Sequence, residues 1–373
     1  MNIGVLTSSR ADFGIYLPLL KQIKSDEFFK LAIIAFGTHL SHHHGKTIQC
    51  IYEAGFDVAF KVESLLLTDS PASISTSIGL TTIKFADFWS EHSREFDIVF
   101  CLGDRYEMFA AVTAGIPFGI PFAHIHGGEK SLGAMDNIFR HAITLASKYH
   151  FVSTRPYAEM VASLTESEKN IYYVGALSLD NLQNMETLTV EQFKEKWGID
   201  LSPKTILFTF HPETIEVDSN VFFVSELIAA INALTSYQIL ITMPNADTEG
   251  NLVRKMLIDA YQGSDRVFMV ESLGTQSYFS AISLCSVMLG NTSSGIIEAA
   301  SFGRYVVNVG DRQKGRIAGS NVINTPIERD SIVDAIRKIE ELPPVNGDNI
   351  YYNGGASNKI YRLLKENFID DQE

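Results

Sequence analysis

Cysteine is scarce in this chain. There are 3 in 373 residues, Cys50, Cys101 and Cys285, far apart and in no CxxC spacing. That argues against a disulfide scaffold and against a cysteine zinc site. Positive charge is in deficit as well. The formal net charge is -14, and a general nucleic-acid surface needs a basic stripe. A local phosphate site is still compatible with an acidic protein. No uninterrupted apolar run is long enough to span a bilayer. The start, Met1-Asn2-Ile3-Gly4-Val5-Leu6, has neither a basic region nor a cleavage site, so it reads as a first strand rather than a signal peptide. No membrane partner and a cytoplasmic setting are the expectations. Three nucleotide signatures are missing: GxxxxGK[ST], GxGxxG after the first strand, and a DxD-like acidic motif. NAD chemistry, P-loop hydrolysis and a metal-chelated diphosphate therefore lack support, and no cofactor is expected.

What is present is a regular alternation. Short apolar runs at 3–6, 31–36, 98–102, 118–123, 149–152, 206–210, 239–243, 267–270, 287–289 and 305–309 read as buried strands. Helix-like stretches at 16–24, 106–114, 137–148, 221–234 and 294–301 lie between them. Strands alternating with helices predict an α/β protein with parallel sheets covered on both faces. The length suits two domains. The pattern pauses around 176–200, which places one domain at 1–175 and a second at 176–355. The last helix, about 356–373, is a candidate to pack back on the first domain.

In parallel sheets, ligands bind outside the carboxyl ends of the strands. The first such segment is Thr7-Ser8-Ser9-Arg10-Ala11-Asp12-Phe13-Gly14. Arg10 suits a phosphate or carboxylate; Asp12 suits either a cap or an orienting role. The second strand is followed by His39 and then His42-His43-His44. Without flanking cysteines or carboxylates at ligand spacing, a metal is disfavoured there; His39 is the candidate catalytic or sugar-contacting histidine, and plain surface-loop histidines are the alternative. Next comes Gly103-Asp104-Arg105-Tyr106-Glu107, a carboxylate and a guanidinium at the start of a helix. A helix cap at Asp104 and a surface pair of Arg105 with Glu107 or Asp87 are the plain alternatives. Then His124-Ile125-His126-Gly127-Gly128-Glu129 follows, with Asp136 and Arg140 one turn apart beyond it. In an extended chain His124 and His126 point to the same side, which leaves a zinc pair open. General acid–base work is favoured, since proton transfer at carbon needs positioned carboxylates or imidazoles.

The second half carries anion-binding features. His211-Pro212-Glu213-Thr214, Met243-Pro244-Asn245 and Gly290-Asn291-Thr292-Ser293-Ser294-Gly295 each follow a strand. A hydroxyl-rich turn at a helix N-terminus is a natural diphosphate site. Glu298, one turn inside that helix, suits ribose hydroxyls, and Gly310-Asp311-Arg312-Gln313-Lys314-Gly315-Arg316 supplies cations. An ordinary N-cap and a solvated basic loop are the alternatives for each motif taken singly.

Taken in order over nearly the whole chain, these motifs resemble the hydrolysing UDP-N-acetylglucosamine 2-epimerases of sialic-acid biosynthesis. Their relatives acting on diacetamido sugars in legionaminic-acid biosynthesis share the same set. The resemblance implies two Rossmann-like domains facing a cleft, as in GT-B glycosyltransferases, with the nucleotide mainly on the second. It implies elimination of UDP across C1–C2, a glycal intermediate, and hydration to the 2-epimeric free sugar. UDP-N-acetylglucosamine giving N-acetylmannosamine is the first expectation, and UDP-N,N'-diacetylbacillosamine the alternative. The resemblance also implies proton-transfer roles for Asp104 and Asp136. Many relatives have a glutamate where this chain has His126, so His126 itself or Glu129 takes that place. His211 and Arg312 match a diphosphate-contacting pair, and Thr292, Ser293 and Ser294 the phosphate turn. Glu298 matches a ribose ligand and Asn245 a nucleotide contact. Arg10, Asp12, His39, Arg105 and Arg140 complete the expected substrate site. A homodimer or homotetramer is the implied assembly. The rivals are a GT-B glycosyltransferase, a non-hydrolysing 2-epimerase and a silent nucleotide-sugar sensor; the Gly-Asp-Arg-Tyr-Glu and His-Pro-Glu-Thr forms favour the hydrolysing branch.

Overall fold

The computed structural model describes residues 1–42, 46–66, 68, 70–215, 217–244 and 249–370. The chain divides into two units. One comprises Met1–Glu129, Asp136–Asn184 and Tyr351–Glu373; the other comprises Lys130–Met135 and Met185–Ile350.

The first unit is built on seven parallel strands: β1 (Asn2–Thr7), β2 (Lys30–Phe36), β3 (Val58–Val62), β4 (Ile98–Leu102), β5 (Phe122–Ile125), β6 (Tyr149–Val152) and β7 (Ile171–Tyr173). Their order is β3-β2-β1-β4-β5-β6-β7. The order reverses between β1 and β4, so the loops leaving those two strands diverge to opposite faces and leave room for a ligand. The central strand β4, Ile-Val-Phe-Cys-Leu, is buried at every position. Helices on both faces leave it no solvent side, which is why it reads as a continuous apolar run.

The strand expected at 118–123 begins later, at Phe122. Ile116–Phe118 instead form a 3-10 turn, closed by Gly119 in the left-handed region, and Phe118 stays exposed. The C-terminal helix Ala356–Asp370 packs its residues Ala356, Ile360 and Leu364 into the first core. This spacing of four puts one stripe inward. Asp180 clamps the start of that helix by accepting from the Ala356 and Ser357 amides at 3.0 and 2.6 Å.

The second unit holds six parallel strands: β8 (Thr205–Thr209), β9 (Gln238–Thr242), β10 (Val267–Val270), β11 (Val287–Gly290), β12 (Val306–Val309) and β13 (Val322–Thr325). Their order is β10-β9-β8-β11-β12-β13. The reversal here falls between β8 and β11. Both units are therefore Rossmann-like, and each carries its polar motifs beside its own reversal. Among the described residues, no helix is long and apolar enough to cross a membrane.

Candidate active site

In the first domain, β1 ends at Thr7 and Ser9 caps the helix Arg10–Lys24. Asp12 sits three residues inside and accepts from the Ser8 and Ser9 amides, each at 2.7 Å, and from both serine hydroxyls. This is a capping box. Asp12 thus takes the cap reading, with both of its oxygens engaged by the Ser8 and Ser9 donors. Arg10 opens the same helix and keeps part of its surface.

His39 also leaves the candidate set. It is wholly buried, with Nε2 2.9 Å from Thr7 Oγ1 and Nδ1 3.0 Å from Thr47 Oγ1. Burial pushes its pKa down. It is a satisfied core histidine that pins the loop after β2 to the end of β1. His43 and His44 lie outside the described residues, as does Asn245.

After β4, Arg105 forks onto Glu107, with Nη2–Oε1 at 2.9 Å and Nε–Oε2 at 3.2 Å. The Glu107 side chain is buried, and a buried carboxylate needs such a partner. Arg105 thereby follows the plain alternative. Asp104 instead meets Arg140, whose Nη2 donates to Asp104 Oδ2.

The loop after β5 is where the polar groups converge. His124 is buried and both ring nitrogens are taken: Nε2 donates to Gly103 O at 2.8 Å and Nδ1 faces Thr144 Oγ1 at 3.0 Å. Burial holds its pKa down to about 3, so the ring is neutral. The strand ends at Ile125, and His126 turns away with φ 65°. The same-side reading of His124 and His126 fails on that turn. The zinc reading falls with it, since His124 has no nitrogen to offer. Among the described residues no group of three or more metal-ligating side chains occurs.

His126 is tied down at three points. Its amide donates to Phe151 O at 3.1 Å. Its carbonyl accepts from Arg140 Nη1 at 2.9 Å, and Nδ1 lies 2.6 Å from Glu129 Oε1. Nε2 is buried and has no hydrogen-bond partner among the described residues. Ser153, just past β6, donates to Glu129 Oε1 at 2.7 Å, and Arg140 Nη1 is 3.8 Å from Glu129 Oε2. Arg140 is thus the hub of a cluster joining Asp104, His126, Glu129 and Ser153. Asp136 begins the helix that carries Arg140. Sequence reasoning missed Ser153, although its place after a buried strand is the same signal that marked the others.

In the second domain, β8 and β11 lie side by side, and Gly290 is where they allow no side chain. Its φ is 139°, and a Cβ there would sit 1.8 Å from Thr209 O. Beyond it, Asn291 bridges back to His211, which fixes the turn Thr292-Ser293-Ser294 against the His-Pro-Glu-Thr loop. Thr292 is the N-cap residue but its side chain makes no capping bond. The helix it starts is short, Ser293–Ile297, followed by the 3-10 turn Ala299–Phe302. The single helix expected at 294–301 is broken at Glu298, so its dipole is small, and what the turn offers a ligand is its side chains and individual amides. Glu298 itself is nearly buried at that break. Tyr278, also missed, brings its hydroxyl to Ser294, Thr209 and Thr292; burial pushes its pKa up to about 12.

The loop after β12 is held from beneath. Glu213 Oε1 accepts from the Asp311 and Arg312 amides at 3.0 and 3.1 Å. Arg312 Nη1 donates to Pro212 O at 2.9 Å, and Gln313 Nε2 to Asn291 O at 2.8 Å. His211, Arg312 and the Thr-Ser-Ser turn are therefore one assembly, with Glu213, Asn291 and Gln313 as its frame. Burial raises the pKa of Glu213. The segment Lys130–Met135 is a further part of this unit. Leu132 N donates to Lys314 O at 2.9 Å, Met135 N to Thr214 Oγ1 at 3.0 Å, and Gly133 leaves no room beside Asp311 O. The chain enters this segment from Glu129 and leaves it at Asp136.

A family model described as UDP-N-acetylglucosamine 2-epimerase matches residues 21–365. The UDP-N,N'-diacetylbacillosamine 2-epimerase (hydrolyzing) of Legionella pneumophila is 36% identical over 361 residues, 96% of this chain and 94% of its own. Polysialic acid biosynthesis protein P7 of Escherichia coli is 30% identical over 366 residues, 97% of this chain and 93% of its own. Among solved structures, UDP-GlcNAc 2-epimerase from Neisseria meningitidis bound to UDP-GlcNAc shares the fold. The TM-score is 0.82 over 98% of this chain and 100% of that one, at 17% identity.

Proposed function

Because this chain belongs to the UDP-N-acetylglucosamine 2-epimerase family, we propose a specific substrate and a division of labour for its reaction. The protein is a hydrolysing UDP-sugar 2-epimerase. The sugar we assign is N,N'-diacetylbacillosamine, and the products are UDP and the free 2-epimeric sugar. The 36% identity to the Legionella enzyme named for that substrate supports this choice over the first expectation, UDP-N-acetylglucosamine. The 30% identity to a polysialic acid biosynthesis protein keeps UDP-N-acetylglucosamine as the second reading.

The observation that carries the chemistry is the acid–base cluster of the first domain, Asp104–Arg140–Glu129–His126, buried except at Asp104. Inversion at C2 removes a proton from one face and returns it to the other, so more than one proton carrier is required. Asp104, Asp136, Glu129 and His126 are the groups available. The C2 proton is weakly acidic, and leaving-group departure must assist. Arg312, His211 and the amides and hydroxyls of Thr292, Ser293 and Ser294 are assigned to the diphosphate. Donors already fixed before charge develops stabilise it without reorganising. Glu298 is assigned to ribose. Nothing in this scheme needs a redox cofactor.

Proton NMR in D2O tests the proposal, with the two UDP-sugars offered separately. Release of UDP and free 2-epimerised sugar bearing deuterium at C2, faster from the diacetylbacillosamine donor, is the expected result. Preference for the N-acetylglucosamine donor replaces the substrate assignment with the second reading. Transfer to an added acceptor without free sugar overturns the reaction class.

A further inference from the structure

His126 has one ring nitrogen engaged and one idle. Glu129 Oε1 receives two groups, His126 Nδ1 at 2.6 Å and the Ser153 hydroxyl at 2.7 Å. The Ser153 hydroxyl donates to that oxygen and the Arg140 guanidinium faces the other, the surroundings of a carboxylate that accepts, so Nδ1 is the nitrogen that carries the ring proton and donates it. In the neutral ring the lone pair then belongs to Nε2. That atom is buried, and no described residue hydrogen-bonds to it. Folding gains nothing from a buried nitrogen left open. The backbone is costly at the same residue, since φ 65° is rarely adopted by a residue with a side chain. Strain and an idle lone pair at one position are the marks of a group held for use.

We infer that His126 Nε2 is the base that takes the C2 proton, and that Glu129 is the positioning residue that fixes its ring and tautomer. This rests on the function proposed above. In the step, the C2–H bond breaks and Nε2 gains the proton. The C–H electron pair becomes the C1=C2 double bond. The C1–O bond breaks, and its pair leaves on the diphosphate. The two carboxylates of the cluster are less suited to begin it. Asp104 Oδ2 is bound by Arg140, and Glu129 has one oxygen doubly occupied and the other facing the same guanidinium. Ser153 and Arg140 thereby hold Glu129 while Glu129 holds the imidazole, an orienting arrangement of the kind that serves catalytic histidines elsewhere.

His126→Gly is the informative variant. Glycine favours a positive φ, so the backbone is relieved while a ring-sized space opens. The expected kcat falls by about a hundredfold or more, UDP affinity by calorimetry is kept, and added imidazole restores turnover. For Glu129→Gln the loss is expected in kcat with KM unchanged, and imidazole does not restore it. A UDP-binding His126→Gly protein that keeps most of its kcat overturns the inference. So does a Glu129→Gln loss confined to KM. Wild-type protein that releases no free sugar from either UDP-sugar overturns the functional reading itself, and the base assignment with it.

Discussion

Asn291 holds His211 from both sides. The His211 amide donates to Asn291 Oδ1 at 2.7 Å, and Asn291 Nδ2 donates to His211 O at 2.8 Å. One side chain thus closes the two backbone groups at the end of β8 that strand pairing no longer serves. Asn291→Ala strands both groups in the interior, at a cost of about 1–3 kcal/mol each. Urea denaturation should show a fall of that order. Calorimetry should show weaker UDP binding, because His211 and the Thr292–Ser294 turn lose their common anchor. Unchanged UDP affinity in a destabilised variant would separate His211 from the nucleotide.

Arg140 is a buried cation serving Asp104 and Glu129 together. Replacing it with methionine fills the space but leaves two carboxylates without their partner. Breaking a buried pair in this way costs about 3–5 kcal/mol. Arg140→Lys keeps one charge but lacks the fork that reaches Asp104 Oδ2 and His126 O at once. It should fold, measured by its thermal transition, and turn over poorly. Near-normal kcat in Arg140→Lys would show that the hub is a charge and not a geometry.

Gly133 lies 2.2 Å, by its absent Cβ, from Asp311 O. Gly133→Ala must push the Lys130–Met135 segment off the loop that carries Arg312. The neighbours in that contact are backbone atoms, which cannot swing aside as a side chain would. The segment is joined in the chain directly to Glu129 and Asp136, and its displacement is expected to disturb both. Kinetics should show a fall in kcat larger than any fall in UDP affinity. A variant weakened only in UDP binding would confine the role of the segment to the second domain.

What the sequence revealed of the fold follows burial. Every strand read correctly from an apolar run lies in a sheet interior, except the edge strand β10 and the shifted start of β5. The three strands that were missed, β3, β7 and β13, are all edges. Their positions are half-buried, alternating intermediate and exposed in β3 and intermediate throughout β7. An edge strand covers less core, so it needs no continuous apolar run and leaves a fainter signal. The site divides in a similar way. Residue type and position near the strand ends single out Asp104, His126, Glu129 and Arg140, which the first domain gathers, and His211 and Arg312, which the second does. They could not tell a ligand contact from a structural polar group. Asp12 and His39 look functional in sequence and are consumed by a cap and by two threonines. Ser153, Asn291 and Gln313 look ordinary in sequence and bond directly to the candidate groups or to the residues that frame them. That distinction depends on which partner each side chain finds, and partners come from strands distant in sequence.

His124 makes the pH dependence of stability testable. Its ordinary pKa of 6.5 is depressed to about 3 by burial. The unfolded chain therefore binds a proton below pH 6.5 that the folded chain refuses. Stability is fully present above pH 6.5 and declines as pH falls toward 3, with a limiting slope of about 1.4 kcal/mol per pH unit for one such group. His150, held down to about 4 by burial, acts in the same direction. Between pH 6 and 5 ordinary carboxylates remain ionised whether the chain is folded or not, so the imidazoles should dominate there. Denaturation midpoints of the wild type should drop across that interval. In His124→Gln, which keeps a donor and an acceptor but no titrating ring, the drop should shrink by the share of one proton. A wild-type stability that is flat from pH 6 to 5 would mean that the folded protein protonates these rings after all, and that the cage formed by Gly103 and Thr144 opens to admit the proton.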